Sequence, residues 1–213
     1  MQKKAVKTVV YLSILLVVLY LSISIQNLTE YKSTQKRPSF DPQTYAQTYW
    51  LSTVQSGLEL AVGLDFLDSI LQKDGGEAFD RLGKTLSIGN IRYFLVSGNA
   101  LVQGATEDYI DLLIINGKNE RKVRLEVEFI YGNAVRDVFG AIDLNEFEST
   151  ADLNRVSESI NEIIKAEVVS PFLQEVKNGD TIHFVGVIEL NRNHMNFDDL
   201  EIIPLRLSVF PNQ

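Results

Sequence analysis

IRYFLVSGNALVQGATEDYIDLLIINGKNERKVRLEVEFIY, residues 91–131, decides the fold. Tyr93, Leu95 and Ser97 alternate with Phe94 and Val96, the period of two that sends successive side chains to opposite faces of a strand. Tyr109 to Ile115 is a second run, Asn116-Gly117 supplies a turn, and Val123, Leu125, Val127, Phe129 and Tyr131 line one face of a third strand. The stretch reads as a three-strand meander.

Downstream, Ser149 or Thr150 caps a helix in which Asp152 can complete a capping box. Leu153, Val156, Ile160, Ile163, Ile164 and Val168 form its apolar stripe, and Pro171 breaks or restarts it. Two more strands follow. Thr181 to Leu190 carries Ile182, Phe184, Ile188 and Leu190 on one face. Glu201 to Val209 turns Ile203, Leu205, Leu207 and Val209 inward, with Pro204 and Arg206 pointing away as on an edge strand. Three strands, a helix and two strands match the five-stranded Greek-key barrel of the oligonucleotide/oligosaccharide-binding (OB) fold, in an α+β chain. An open α+β sheet is the alternative, since periodicity does not report closure.

Upstream, residues 41–85 read as a helical cap on the barrel of residues 91–210. Asp41-Pro42 is an N-cap with proline at the first helical position, and Tyr45, Tyr49, Trp50 and Val54 recur at helical spacing up to Gly57. A second helix carries Leu60, Leu64, Leu67, Ile70 and Leu71 to Asp74-Gly75-Gly76, and a short third spans Ala78 to Leu82 before Gly83. Tyr45, Tyr49 and Trp50 could form a platform for sugar rings, but their helical spacing favours the core.

Before the domain, Thr8 to Ile25 is an uncharged, almost wholly apolar run of 18 residues preceded by Lys3, Lys4 and Lys7. That pattern reads as an uncleaved signal anchor over residues 1–25, a single-pass transmembrane helix with its N-terminus in the cytoplasm. Residues 26–40 are a polar tether, and residues 41–213 form one extracytoplasmic domain in the periplasm. This domain holds 27 Asp plus Glu against 14 Lys plus Arg, a net charge of −13. Nucleic acid is therefore excluded as a partner, because its affinity rests on clustered basic residues. The 213 residues contain no cysteine, which excludes disulfides, thiolate metal sites and a cysteine nucleophile.

YGNAVRDVFGAIDLNEF, from Tyr131, resembles the signature of predicted periplasmic lipoproteins grouped as domain of unknown function 2291. That signature has an Arg-Asp pair after a Gly-x-Ala turn, then a Gly-x-Ile strand and an acid-Phe helix entry. FDPQTYAQTYW from Phe40, the Leu-rich helix with Gly75 to Gly83, VSGNALV from Val96, the helix with Val156 and Asn161, GDTIHFVGVIEL and EIIPLRL extend the resemblance over most of residues 40–210. The resemblance implies a companion of a carbohydrate ABC uptake system, touching its permease or solute-binding protein and conceivably a saccharide. Two departures stand out. The lipid-accepting cysteine is missing, so a helix would replace the lipid anchor. Tyr131 replaces a frequent basic residue, which speaks against anion binding at that turn.

Arg136 and Asp137 are the leading site candidates. A guanidinium can fork onto a carboxylate or vicinal hydroxyls, whereas an internal clamp fixing the strand exit is the favoured reading. Asn133 and Asn145 join them as ligand contacts or as turn formers and caps. His183 and His194 are weak catalytic candidates. His194 with Asp198 and Asp199 lacks a recognised metal-ligand spacing, so no metal and no cofactor are expected. No nucleophile elbow, phosphate loop or His-Glu-x-x-His motif occurs, and a non-enzymatic accessory or binding protein leads. A saccharide hydrolase using Glu126 with Glu128, or Asp198 with Glu201, is the alternative. Strand parity turns Glu126 and Glu128 away from Val127 and Phe129, into solvent.

Overall fold

The hydrophobic alternation of the meander is satisfied across five strands. The computed structural model describes residues 11–20, 40–116, 119–131, 133–197 and 200–210, and the chain divides into units at residues 1–40 and 41–213. In the first unit, residues 11–20 form an uncharged helix with exposed side chains. Among the described residues no helix is long and apolar enough to cross a membrane. The flanking parts of the expected 18-residue anchor, and residues 26–39 of the tether, lie outside them.

In the second unit, helix α1 (Pro42–Tyr49) starts where expected, with the Asp41 carboxylate accepting the Gln43 N–H at 3.1 Å. It runs on through a π turn at Trp50–Val54 and Gln55–Gly57 into a 3-10 turn at Leu58–Leu60. Leu60 therefore belongs to this turn, where it is exposed, and not to the second helix. A two-residue strand β1 (Val62–Gly63) follows, then helix α2 (Leu64–Leu82). Gly75 interrupts α2 with φ 50° and ψ −120°, a conformation open to glycine and strained for other residues, so the expected break lies inside one longer element.

The sheet continues with β2 (Ile91–Ala105), β3 (Tyr109–Asn116), β4 (Asn119–Glu126), β5 (Thr181–Asn191) and β6 (Leu200–Phe210). Six strands pair in the order β1-β2-β3-β4-β6-β5, and β5 also pairs with β2. The extra strand over the expected five is β1, which adds in parallel to Val96 and Ser97 of β2. The directly opposed residues Phe94, Ile188, Ile202, Leu125 and Ile110 form one belt across β2, β5, β6, β4 and β3. None of the five is more than 1% exposed. Burying each is worth roughly 1.5–3 kcal/mol, so the belt holds the register of every long strand.

Two strand expectations are corrected. β6 is not an edge, because it pairs with β5 on one side and in parallel with β4 on the other. Pro204 is tolerated there since the β4 ladder stops at Ile202, and the β5 ladder shifts register beside it, leaving Leu205 as the extra residue. β4 ends at Glu126 rather than reaching Tyr131. The N–H groups of Val127 and Glu128 both turn to the Asp108 carbonyl, at 3.1 and 3.2 Å, and Phe129 and Tyr131 emerge exposed.

Between β4 and β5 lie α3 (Asn133–Val138), a 3-10 turn (Leu144–Glu146) and α4 (Thr150–Ile164). Ser149 caps α4 by accepting the Asp152 N–H at 3.2 Å, and Val156, Ile160 and Ile164 are fully buried. A π turn at Lys165–Val169 leads into α5 (Ser170–Glu175), which restarts at Pro171. Proline has no N–H to donate and its ring crowds the carbonyl four residues back; the wider π turn relieves both.

Gly186 gives a direct test of this packing. A Cβ there would stand 2.5 Å from Ile202 Cγ2 and 2.7 Å from the Ile203 carbonyl oxygen. Gly186→Ala should lower stability by about 1–3 kcal/mol, read as a melting temperature reduced by roughly 3–10 °C.

Candidate functional site

Opposite the apolar belt, the same alternation builds the floor of a cleft. Tyr93 pairs with Glu189 and Val187 with Ile203, while Glu201 is opposed to Arg124, two residues before Glu126. Tyr93, Glu189, Val187, Ile203, Glu201 and Glu126 thus line one cavity of about 860 Å³. Asn154, Ser157, Glu158 and Asn161 of α4 supply the facing wall, and Tyr131, Asn133 and Ala134 the approach to α3. Asn196, from the β5–β6 connection, completes the lining.

Arg136 and Asp137 lie behind this wall, only 5% and 3% exposed. Arg136 Nε donates to Asp137 Oδ1 at 2.6 Å, and Nη1 donates to Ser157 Oγ at 3.1 Å. Asp137 Oδ2 accepts the Leu86 N–H at 3.2 Å, and the Arg136 carbonyl accepts from Tyr49 Oη at 2.8 Å. One ion pair therefore joins α1, the segment before β2, α3 and α4. The guanidinium reaches the cleft through its hydrogen bond to Ser157, and its charge is felt at Tyr93.

The other candidates are separated. Asn133 lines the cleft, whereas Asn145 bonds the Asp143 carboxylate from its own amide and backbone N–H. Tyr45 donates to Glu146 at 2.8 Å, Tyr49 is buried, and Trp50 is buried with its indole N–H on Glu167 at 2.9 Å. These rings form no common platform. Burial raises the pKa of both hydroxyls, with Glu146 adding to the effect at Tyr45 and Asp137 at Tyr49. His183 meets Asn99 at 2.8 Å, and His194 bridges back to Asn191. Asp198 and Asp199 lie outside the described residues, among which no group of three His, Cys, Asp or Glu is arranged for a metal.

The sequence placed Glu126 in solvent, and the structure corrects this: it is 7% exposed. The parity was right, but the opposite face of β4 is itself covered, because its end turns under the cleft. Glu128 is exposed and pairs with Lys165 Nζ at 3.0 Å, so the expected Glu126–Glu128 couple does not share the site. Tyr93, Glu189, Asn154, Glu158 and Asn161 were missed. Asn154, Ser157, Glu158 and Asn161 do recur at helical spacing on α4, a polar stripe that in sequence looks the same whether it faces water or a cleft.

The family of predicted periplasmic lipoproteins called domain of unknown function 2291 matches residues 13–208. The chain belongs to this family. No curated protein matches it. Among solved structures, the crystal structure of an OB-fold protein from Thermotoga maritima is similar, with a TM-score of 0.71 and 24% identity over 81% of this chain and 99% of that one. That likeness establishes the OB-type fold. Within the signature of the 2291 family, the Arg-Asp pair is the buried clamp just described, while Gly140 to Ile142 is irregular rather than a strand.

Burial raises the pKa of Glu126 above 4.5, and the Glu201 carboxylate raises it further. The Tyr93 hydroxyl is pushed up to about 12 by burial, with Glu189 adding to it. A carboxyl whose folded pKa exceeds its unfolded value favours the folded state as the neutral acid. That contribution is lost as the pH rises from about 4.5 through the folded value. Glu126→Gln should therefore raise the melting temperature at neutral pH, with the gain vanishing below about pH 4. Arg136→Ala, which strands the buried Asp137 carboxylate, should cost about 3–5 kcal/mol, measured by denaturant unfolding.

Proposed function

We propose that the domain is a non-enzymatic binding module of the periplasm, held at the inner membrane by its N-terminal apolar segment, and that its cleft takes a polyhydroxylated solute such as a saccharide. The observation that carries this reading is the cleft itself. Carboxylates and amides stand on both walls, with Tyr93 and Tyr131 in the same lining. Sugar hydroxyls find acceptors and donors in such groups, and the apolar faces of a pyranose suit tyrosine rings. The resemblance to companions of carbohydrate importers supports a place beside an ABC permease or its solute-binding protein. Membrane attachment is supported by the uncharged run from Thr8 to Ile25 in a chain without cysteine.

A hydrolase is the second reading, favoured by one observation: Glu126 and Glu201 share the cleft and burial disfavours the charge on Glu126. Against it, both carboxylates rise from neighbouring strands of one wall. Glycosidase carboxyl groups flank the scissile bond from two sides.

The full chain, purified from membranes in detergent, should bind one or more members of a saccharide panel in calorimetry and release no product from aryl glycosides. It should remain with the membrane fraction after an alkaline wash. Glycoside cleavage abolished by Glu126→Gln or Glu201→Gln would replace the binding-module reading with the hydrolase.

A further inference from the structure

Resting on the reading of the cleft as a solute site, we infer that its occupant carries an ammonium group, as in an amino sugar or a polyamine, seated between the Glu126 floor and the α4 wall. Glu126, Glu158, Glu189 and Glu201 line the cavity, and among the described residues no lysine, arginine or histidine does. The basic side chains around it are engaged elsewhere. Arg136 is paired with Asp137 behind Ser157, Arg155 with Asp152, and Lys165 with Glu128. Arg124, the cation whose charge reaches Glu126, lies 5.0 Å from the centre of the Tyr109 ring.

An acidic lining alone is only a solvated surface; two further atoms point to a ligand. Glu126 is 7% exposed, yet no hydrogen bond or ion pair holds its carboxylate among the described residues. On the facing helix, the Asn161 side-chain oxygen is buried and accepts from no donor among them. Both are acceptors, and an ionised carboxylate is an acceptor only. An acceptor left buried without a donor, as at Asn161, carries a desolvation cost that a ligand supplying donors recovers on binding, and the Glu126 carboxylate opens on the same cavity. A hydroxyl supplies one donor and leaves the acidic field uncompensated. An ammonium supplies three donors together with the opposite charge.

Calorimetry on the full chain in detergent, near neutral pH, with glucose, glucosamine and spermidine as probes separates this inference from the broader reading. Glucosamine is expected to bind at least about tenfold more tightly than glucose, the worth of one charge-assisted hydrogen bond. Glu126→Gln, checked for an unimpaired melting temperature, should lower glucosamine affinity about tenfold and glucose affinity by a clearly smaller factor, so that the preference for glucosamine narrows. Equal affinity for glucose and glucosamine, or a glucosamine affinity indifferent to Glu126→Gln, would overturn the inference while leaving a saccharide site in place. Spermidine binding without either sugar would uphold the ammonium site and overturn the saccharide reading. Silence from all three probes would overturn both.

Discussion

The belt formed by Phe94, Ile188, Ile202, Leu125 and Ile110 is the constraint on which the rest depends. Side chains in a strand alternate with a period of two, so burying this row leaves no freedom in what its neighbours present outside. Tyr93, Glu189, Val187, Ile203, Glu201 and Glu126 are consequences of the same register. A slip by one residue in β4, β5 or β6 would put Glu126, Glu189 or Glu201 into the interior and an aliphatic belt residue into the cleft. The functional face thus inherits its precision from the hydrophobic one.

A floor becomes a cleft only when something stands over it, and the helices do so through the Arg136–Asp137 pair. The pair is buried and its partners come from separate elements: Ser157 of α4, the Leu86 backbone and, through the Arg136 carbonyl, Tyr49 of α1. A buried ion pair adds little net stability against a well-packed apolar substitute, yet losing one partner is costly. Its consequence here is positional. It fixes where the polar stripe Asn154, Ser157, Glu158 and Asn161 stands relative to the sheet. Arg121 of β4 likewise reaches Asp68, and stands 3.5 Å from Asp65, tying α2 to the sheet.

Charge gives the cleft a character that the fold does not. OB-type barrels that take nucleic acid rely on basic grooves, whereas this domain carries a net charge of −13 over residues 41–213, with four of its carboxylates in one cavity. Burial first, and the Glu201 carboxylate second, raise the proton affinity of Glu126. The family is one of predicted periplasmic lipoproteins, and this chain has no cysteine to accept a lipid.

Local signals were legible in the sequence. The Asp41-Pro42 start, the break at Gly75, the Ser149 cap, the stripe Val156, Ile160 and Ile164, and the alternation of the meander each depend on neighbours a few residues apart. The order of strands and helix pointed to the OB-type fold for the same reason. Non-local facts were not legible. β6 read as an edge because Pro204 lacks an N–H, but whether a second strand lies alongside depends on β4, some 80 residues away. Glu126 read as solvated because parity reports a face, not what covers it; it sits in the floor of the cleft, just before the chain turns to the Asp108 carbonyl. Periodicity determined which side chains travel together, and only tertiary packing decided which of those sets meets water, the core or a ligand.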